Sequence, residues 1–510
     1  MLATVTGYAL DGIKGFPVEV EVFTQRGLPS FETVGLPASA VKEAKERVRS
    51  AIKNSGFDFG SFRTVVNLAP ADVRKEGSAL DLAIAIGYLC STETVSAKNV
   101  SDYVFLGELS LDGSLRRING VMPMLISALQ EGFTKFVVPE SNAKEASFVT
   151  GAEIYAVKSL SDAVNLLIGF DVPKVPCSGY DVDDDLIPEV DISDIKGQLM
   201  AKRALEIAVS GAHNLLMSGS PGTGKTMLAR CVTGLMPKMT FAEAVEVTKI
   251  HSVSGLIKEE EGIVMRRPFR TPHHTASLFS ITGGGSKATP GEVSLAHNGV
   301  LFLDEMPEYP RKTLEALRQP LEDGIITVSR VGRTAEYPAD FMLIASMNPC
   351  PCGYFGSSVK QCTCTPREIL NYVSKISGPL LDRIDIYIEV NNIEYDEFRS
   401  SAPSETSAKV RERVERAREI QRKRFAEDGI YVNSRMNNRL IKKYCAIDAE
   451  SEEMLGKIFK ARNLSPRAAT RILKTARTIA DLAGRDGITF DDVAEAIQYK
   501  TADKKEMASL

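Results

Sequence analysis

The sequence predicts an α/β protein: two blocks of alternating strands and helices, then an all-helical C-terminal segment. Three observations carry that reading. Strand-like and helix-like periodicities alternate from the N-terminus to about residue 395. Two short runs, Asn214–Ser218 and Val300–Leu303, are largely or wholly apolar, as strands covered on both faces of a parallel sheet are. Beyond about residue 400 only helical spacing remains. With 510 residues and 55.6 kDa, the chain has room for about three domains.

The first block, residues 1–170, opens with Val18–Phe23, which alternates as a half-buried strand does. Ala38–Asn54 follows as a helix, with Val41, Ala44, Val48 and Ile52 on one stripe. Arg63–Leu68 is a strand, Ala79–Leu89 a helix, and the strands Phe136–Pro139 and Ile154–Val157 close the block. Residues 171–194 read as an exposed linker. They are acidic (Asp171, Asp181, Asp183, Asp184, Asp185, Glu189, Asp191, Asp194) and contain Pro173, Pro176 and Pro188. The second block is 195–395, and a second break falls near 391–405. Residues 396–510 form the helical segment, where Val410, Val414, Ala417 and Gln421 mark one helix and Pro466–Ala483 another.

Composition narrows the function. Lys+Arg number 62 against Asp+Glu 66, a net charge of −4, which excludes a globally basic nucleic-acid coat. Any contact with DNA must come from local basic patches. Trp is absent and aromatics are 7%, which argues against extensive base stacking. No run of about 18 apolar residues exists, and Met1–Gly15 has no signal-peptide pattern, so a cytoplasmic protein without membrane contact is expected. Eight cysteines are too few for a disulfide scaffold. Four are scattered (Cys90, Cys177, Cys231, Cys445), and four cluster at 350, 352, 362 and 364.

The sharpest motif is Gly219-Ser220-Pro221-Gly222-Thr223-Gly224-Lys225-Thr226, between a strand and a helix, as a P-loop requires. Its glycines let backbone N–H groups converge on phosphate oxygens, and the helix N-terminus adds positive potential. Lys225 is expected to reach the β- and γ-phosphates and Thr226 to bind Mg²⁺. About 80 residues on, Val300–Leu303 ends in Asp304 and Glu305. Asp304 is expected in the magnesium shell, and Glu305 as the group that orients and deprotonates the attacking water. A third strand, Ile344–Met347, ends in Asn348, placed to hydrogen-bond the water or γ-phosphate, although a strand-end Asn alone is more often a turn former.

Together the P-loop, the Asp304-Glu305 pair and Asn348 resemble an AAA+ ATPase. Arg267-Pro-Phe-Arg-Thr-Pro-His-His274, Gly283–Gly285, Pro290–Glu292, Leu295–Gly299 and Arg318-Gln-Pro-Leu-Glu-Asp-Gly324 resemble its magnesium-chelatase-like branch. Asn348-Pro-Cys-Pro-Cys-Gly353 and the extra N-terminal block resemble the bacterial YifB/ComM family. The resemblance covers essentially the whole chain. It implies a central AAA+ P-loop domain with a C-terminal helical lid, ATP and Mg²⁺ as cofactors, and a homo-oligomeric, hexameric ring. The activity it implies is an ATP-driven DNA helicase for branch migration on single-stranded or branched DNA in natural transformation. The alternative is a chelatase-type motor subunit that drives metal insertion into a porphyrin through a partner. A non-enzymatic or proteolytic role is disfavoured by the intact ATP site.

The same resemblance assigns further residues. Leu380-Leu-Asp-Arg383-Ile-Asp385 carries Arg383 as an arginine finger reaching a neighbouring subunit's γ-phosphate, against an ordinary surface ion pair to Asp382 or Asp385. Ser465-Pro-Arg467 carries Arg467 as the lid's sensor arginine, with Arg471 and Arg477 nearby. Ile195–Gln198 resembles the segment that packs near the adenine. Residues 70–139 resemble the Lon proteolytic fold, through Lys75-Glu-Gly-Ser78-Ala79, Gly107–Gly113, Asn119-Gly-Val-Met122 and Val137–Pro139. The lysine of that fold's Ser–Lys dyad is replaced by Met122, and a thioether takes no proton. The block therefore reads as a Lon-like pseudo-protease, with Ser78 as the expected N-cap of the helix after it. Lys135 lies outside the motif.

The cysteines Cys350, Cys352, Cys362 and Cys364, on the loop 350–364, could close on a tetrahedral Zn²⁺. One residue between paired cysteines is atypical for zinc, so reduced structural thiols and a redox role stay open. His251, His273, His274 and His297 fall within about 50 residues. Lacking ligand spacing, they are expected to line insert loops that face a pore. Three basic clusters could meet DNA phosphates: Arg266, Arg267 and Arg270; Arg330 and Arg333, on a predicted hairpin; and Lys409–Arg424, with eight basic residues against three acidic. The last also fits a solvated helix face with pairs such as Arg411–Glu415 and Glu412–Arg416.

Overall fold

The computed structural model describes residues 1–499 except 37, 76, 182–188, 286–287, 331–332, 358–359, 393–404 and 463. The expected linker falls partly, and the break near 391–405 largely, outside the described residues.

The chain forms two compact units, Met1–Val182 with Thr240–Met265, and Asp183–Met239 with Arg266–Leu510. Residues 240–265 therefore pack with the N-terminal unit, although they lie inside the 195–395 block. The C-terminal helices share a unit with the P-loop core.

The first unit is built on a seven-stranded mixed sheet. Its order is Ser30–Val34, Phe62–Ala69, Lys14–Arg26, Leu2–Asp11, Tyr103–Phe105, Lys135–Pro139, Glu153–Val157. The long hairpin Leu2–Asp11/Lys14–Arg26 is antiparallel, while the last three strands run parallel to Leu2–Asp11. The alternation at Val18–Phe23 does its work: Val18, Val20 and Val22 are fully buried while Glu19 and Phe23 face out. Helix Asp81–Ser91, buried along its whole length, forms the centre of this core. An apolar helix of this kind, Leu82 to Cys90, is covered on every side.

Helix Phe241–Val253 begins at Thr240, whose hydroxyl and Glu243 form a reciprocal capping box. It is anchored by Ser252. The Ser252 hydroxyl donates to Glu145 and accepts from the Gly120 N–H at 2.9 Å. Glu145, 2% exposed, also accepts from the Met122 N–H at 3.0 Å and pairs with Arg117 at 3.4 Å.

The second unit holds a five-stranded, all-parallel sheet in the order Phe269–Arg270, Val300–Leu303, Met342–Met347, Leu215–Ser218, Ile386–Glu389. Every residue of Leu215–Ser218, Val300–Leu303 and Met342–Met347 is buried, as strands covered on both faces must be. Helices Leu199–Gly211 and Lys225–Leu235 pack on it with the C-terminal helices. Val410, Val414, Ala417 and Gln421 are the buried stripe of helix Ser407–Arg424, and Ser465 caps helix Pro466–Leu482 by accepting from the Ala468 N–H. Buried His213 joins the sheet to this layer. Its Nδ1 lies 3.2 Å from Asp385 and its Nε2 2.8 Å from the Thr478 hydroxyl.

Candidate active site

The P-loop joins strand Leu215–Ser218 to helix Lys225–Leu235 at the C-terminal edge of the sheet. Gly219 is required there: a Cβ would stand 2.3 Å from the Val390 carbonyl oxygen. Gly222 and Gly224 take φ of +83° and +89°, the left-handed turn that points successive N–H groups inward. Gly224 is also the N-cap and supplies no side chain, so the first N–H groups of the helix remain available to an anion.

Lys225 folds back over the loop. Its ammonium donates to the carbonyls of Gly219 (2.7 Å) and Ser220 (2.9 Å) and lies 3.4 Å from Asn348 Oδ1. Burial lowers its pKa, against the opposing pull of Asp304 and Glu305. A desolvated ammonium held by neutral carbonyls gains most from a polyanion, which makes this loop a fitting phosphate cradle. Thr223 braces the turn by donating to the Ser220 carbonyl at 2.9 Å.

The adjacent strand ends bring the carboxylates in. The Thr226 hydroxyl donates to Asp304 Oδ2 at 3.1 Å, so these two can share one magnesium ion. Asp304 Oδ1 is held by the Ser346 hydroxyl and by the Glu305 N–H at 3.1 Å. Ser346 carries no role in the sequence reading. It was visible only as the residue two before Asn348 on a strand whose register sets Leu303 beside Ala345. Glu305 sits at φ +50°, a left-handed conformation unusual for a non-glycine residue, with its carboxylate half-exposed.

The histidines do not form one group. The His274 ring lies 4.1 Å from the His273 ring, tilted by 33°, and places Nδ1 3.9 Å from the Glu305 carboxylate. His297 is buried and accepts from the Asp340 N–H at 3.1 Å, while His251 belongs to the helix of the other unit. The expectation that all four line insert loops is thus corrected for His251, which lies on a helix, and for His297, which is buried; His273 and His274 do lie on a loop, with His274 beside the Glu305 carboxylate.

Arg383 is 15% exposed, donates to the Pro379 carbonyl at 2.7 Å and pairs with Glu322. Its partner is neither Asp382 nor Asp385: Asp382 is taken by Arg471 at 3.3 Å, and Asp385 by His213. Glu322 lies in the 318–324 motif and was not singled out. Arg467, 71% exposed, projects from the start of its helix with Asp382 3.9 Å away. Arg471 is instead tied to the carbonyls of Leu381 and Ile384, and Arg477 is buried against Asp481.

The basic clusters separate. Arg267 donates to three backbone carbonyls, at Pro237 (2.6 Å), Asn298 (2.8 Å) and Lys238 (3.3 Å). Arg270 forms a bidentate pair with Glu292 at 2.6 and 2.8 Å. Both are thus committed to internal structure, which corrects their selection as DNA contacts and leaves Arg266 as the exposed member. Ile325–Arg330 and Arg333–Pro338 form the expected antiparallel hairpin, with Arg330 opposite Arg333 as its closing pair. On helix Ser407–Arg424, Arg413 pairs with Glu206 and Glu405, and Arg424 with Asp481. The observed surface pairs are Arg422–Glu419 and Lys423–Glu419, in place of the expected ones.

Ser78 is not an N-cap. The helix starts at Asp81, and the Ser78 hydroxyl donates to Glu108. Met122 is fully buried, and Lys135 pairs with Asp102 at 3.4 Å.

A P-loop, an acidic pair and a polar strand-end residue on adjacent strands of this parallel sheet, with a helical C-terminal region in the same unit, define a magnesium-chelatase-like AAA+ protein. Family models agree: "Magnesium chelatase, subunit ChlI" matches residues 191–398, its C-terminal model 404–500, and "Subunit ChlI of Mg-chelatase" 20–142. The chain is 43% identical to the Haemophilus influenzae "Competence protein ComM" over 507 residues, 98% of this chain and 97% of that protein. It is 40% identical to the Escherichia coli protein YifB over 504 residues, 99% and 98% of the two chains. A "Magnesium-chelatase 67 kDa subunit" of Chlorobaculum tepidum is 27% identical over 161 residues, 31% of this chain and 23% of that protein. The chain belongs to the YifB/ComM family. Among the described residues, no helix is long and apolar enough to cross a membrane.

Proposed function

We propose that this protein is an ATP-hydrolysing, ring-forming DNA motor, a helicase or branch-migration factor acting on recombination intermediates in natural transformation. The observation that carries the ATPase reading is the convergence of Lys225, Thr226, Asp304 and Asn348 at one sheet edge, with Glu305 beside them. Bound ATP would supply the phosphoanhydride and Mg²⁺ the charge that polarises it. Lys225 exchanges two carbonyls for the β- and γ-phosphate oxygens. Thr226 and Asp304 would hold the ion, with Ser346 fixing the orientation of Asp304. Glu305 orients and deprotonates the attacking water, and Asn348 hydrogen-bonds that water or the γ-phosphate. Arg467 reaches the same phosphates from the lid. Arg383 serves the neighbouring subunit's site, which requires it to leave Glu322 when two subunits meet.

The DNA reading is supported by the competence relative and by the hairpin Ile325–Pro338, whose closing pair is two arginines. A guanidinium at a hairpin tip grips phosphate without reading sequence. The test is ATPase activity with single-stranded, duplex and branched DNA, set against porphyrin plus chelatase partner subunits. Stimulation by branched DNA supports the motor, and stimulation only by the porphyrin system supports the chelatase alternative. Arg330→Ala with Arg333→Ala is expected to leave basal ATPase intact, abolish DNA stimulation and reduce the log–log salt slope of DNA binding by about 1–2. Unwinding of branched DNA at the parental rate by that variant would move the grip to Arg266 or to helix Ser407–Arg424.

A further inference from the structure

Among the described residues, Cys350, Cys352, Cys362 and Cys364 are the one group of His, Cys, Asp and Glu side chains whose ligand atoms come close enough to share an ion. Their sulfurs all lie within 4.8 Å of one another. Three edges of the set measure 3.3 Å (Cys350–Cys352), 3.7 Å (Cys350–Cys362) and 3.6 Å (Cys352–Cys362). A Zn–S bond of about 2.3 Å gives a tetrahedron with sulfur–sulfur edges of about 3.8 Å, whereas a disulfide needs about 2.05 Å. The spacing is that of a metal site and not of two disulfides. Backbone amides complete the surroundings. The Cys352 N–H donates to Cys364 Sγ and the Cys364 N–H to Cys362 Sγ, both at 3.4 Å. Such donors offset the negative charge that four thiolates gather around one ion. The single-residue spacing within each Cys-x-Cys arm thus serves to turn an amide toward a sulfur.

The loop is joined to the nucleotide site at its start and in its middle. It leaves two residues after Asn348 and ends at Thr365, which caps helix Pro366–Ser374 with a box completed by Glu368. Within it, Gly353 has φ +84°, and a Cβ there would stand 2.7 Å from Pro221 Cδ of the P-loop. The loop backbone therefore forms a wall of the P-loop. Cys350 is fully buried beneath it.

We propose that the four cysteines bind one Zn²⁺ and that this ion clamps the loop so that Asn348 and the P-loop wall at Pro221 keep their spacing. The cysteines are positioning residues and do not touch the nucleotide. The metal site stands on the sulfur geometry alone. Its effect on turnover rests on the ATPase reading proposed above.

The full-length protein is expected to carry about one zinc per chain by elemental analysis. Cobalt loaded in its place should show the ligand-field and thiolate charge-transfer bands of a tetrahedral all-sulfur site. Cys350→Ser with Cys362→Ser should lose both signals, while Cys177→Ser, exposed and outside the cluster, keeps them. Should the double variant fail to fold, removal and return of zinc on the native chain provides the same comparison. The stripped protein should bind a fluorescent ATP analogue normally but turn ATP over on the order of tenfold more slowly, and recover when zinc is returned. A native protein without metal, with four freely titrating thiols or a Cys–Cys disulfide, overturns the site. Zinc present but without influence on turnover overturns the clamp. Zinc present in a chain that hydrolyses no ATP supports the site and overturns the ATPase reading instead.

Discussion

In the second unit, Lys225, Thr226, Asp304 and Asn348 come from a loop and two further strand ends, yet their polar atoms face one another across a common space. In the first unit, the candidate residues are each taken up by a different neighbour. The Ser78 hydroxyl goes to Glu108, the Lys75 ammonium to the Pro70 carbonyl, Lys135 to Asp102, and Met122 gives its N–H to Glu145. The two regions show that a residue type at a motif position becomes a site only when the fold leaves its functional atoms aimed at shared, open volume. Gly222 and Gly224 mark that volume, since a Cβ at either would meet nothing within 4 Å.

The largest effect should come from the side that assembles. Lys225→Ala is expected to abolish nucleotide binding, because it removes the one buried cation of the cradle. Glu305→Gln should bind a fluorescent ATP analogue normally and lose about 10²–10⁴-fold in phosphate release. Near-normal turnover in Glu305→Gln would transfer the role of base to another group, and His274, 3.9 Å away, is the first to examine.

Next is Arg383, which pairs with Glu322 within the chain. Arg383→Ala should cost about 10³–10⁵ in turnover if it acts across a subunit interface. Mixing Arg383→Ala subunits with Glu305→Gln subunits should restore part of the activity, since some interfaces then pair an intact site with an intact finger. Mixed rings with no recovery would assign Arg383 to its pair with Glu322 alone.

The candidate nucleotide site was legible in sequence because its parts are contiguous motifs: eight residues of P-loop, two adjacent carboxylates, one strand-end Asn. So were the sheet strands, whose apolar runs admit few other placements. What was not legible depends on partners distant in sequence. Arg267 and Arg270 look like a basic patch until Pro237, Asn298 and Glu292 are seen beside them. Ser346 and Glu322 gain meaning only from register and packing. The helix Phe241–Val253 reads as part of the AAA+ block because its attachment to the first unit runs through Glu145, about a hundred residues earlier. Ser78 was assigned as a cap from local sequence, but Glu108 competes for its hydroxyl and the helix starts later.

The smaller effects test the first unit. Glu145 is 2% exposed and accepts from Met122, Ser252 and Arg117. Glu145→Ala strands these donors in the interior and should cost roughly 3–5 kcal/mol in thermal or urea unfolding of the unit. Glu145→Gln keeps an acceptor and should cost about 1 kcal/mol. Burial raises the Glu145 pKa above its ordinary 4.5, although Ser252, the Met122 amide and Arg117 pull it down. A carboxyl raised on folding stabilises most below its unfolded value and loses that contribution as pH climbs through the folded one. The Gln variant should therefore trail the wild type most near pH 4 and close the gap toward neutrality. A gap that widens with pH would mean that the anion paired with Arg117 is the stabilising form. Ser78→Ala should be the mildest change of all. It removes one hydrogen bond from a half-buried hydroxyl, about 0.5–1.5 kcal/mol at most, and should leave ATP turnover where it was. A Ser78→Ala protein that folds normally but loses a hydrolytic activity of the first unit would place a working nucleophile there, and the contrast between the two regions would fail.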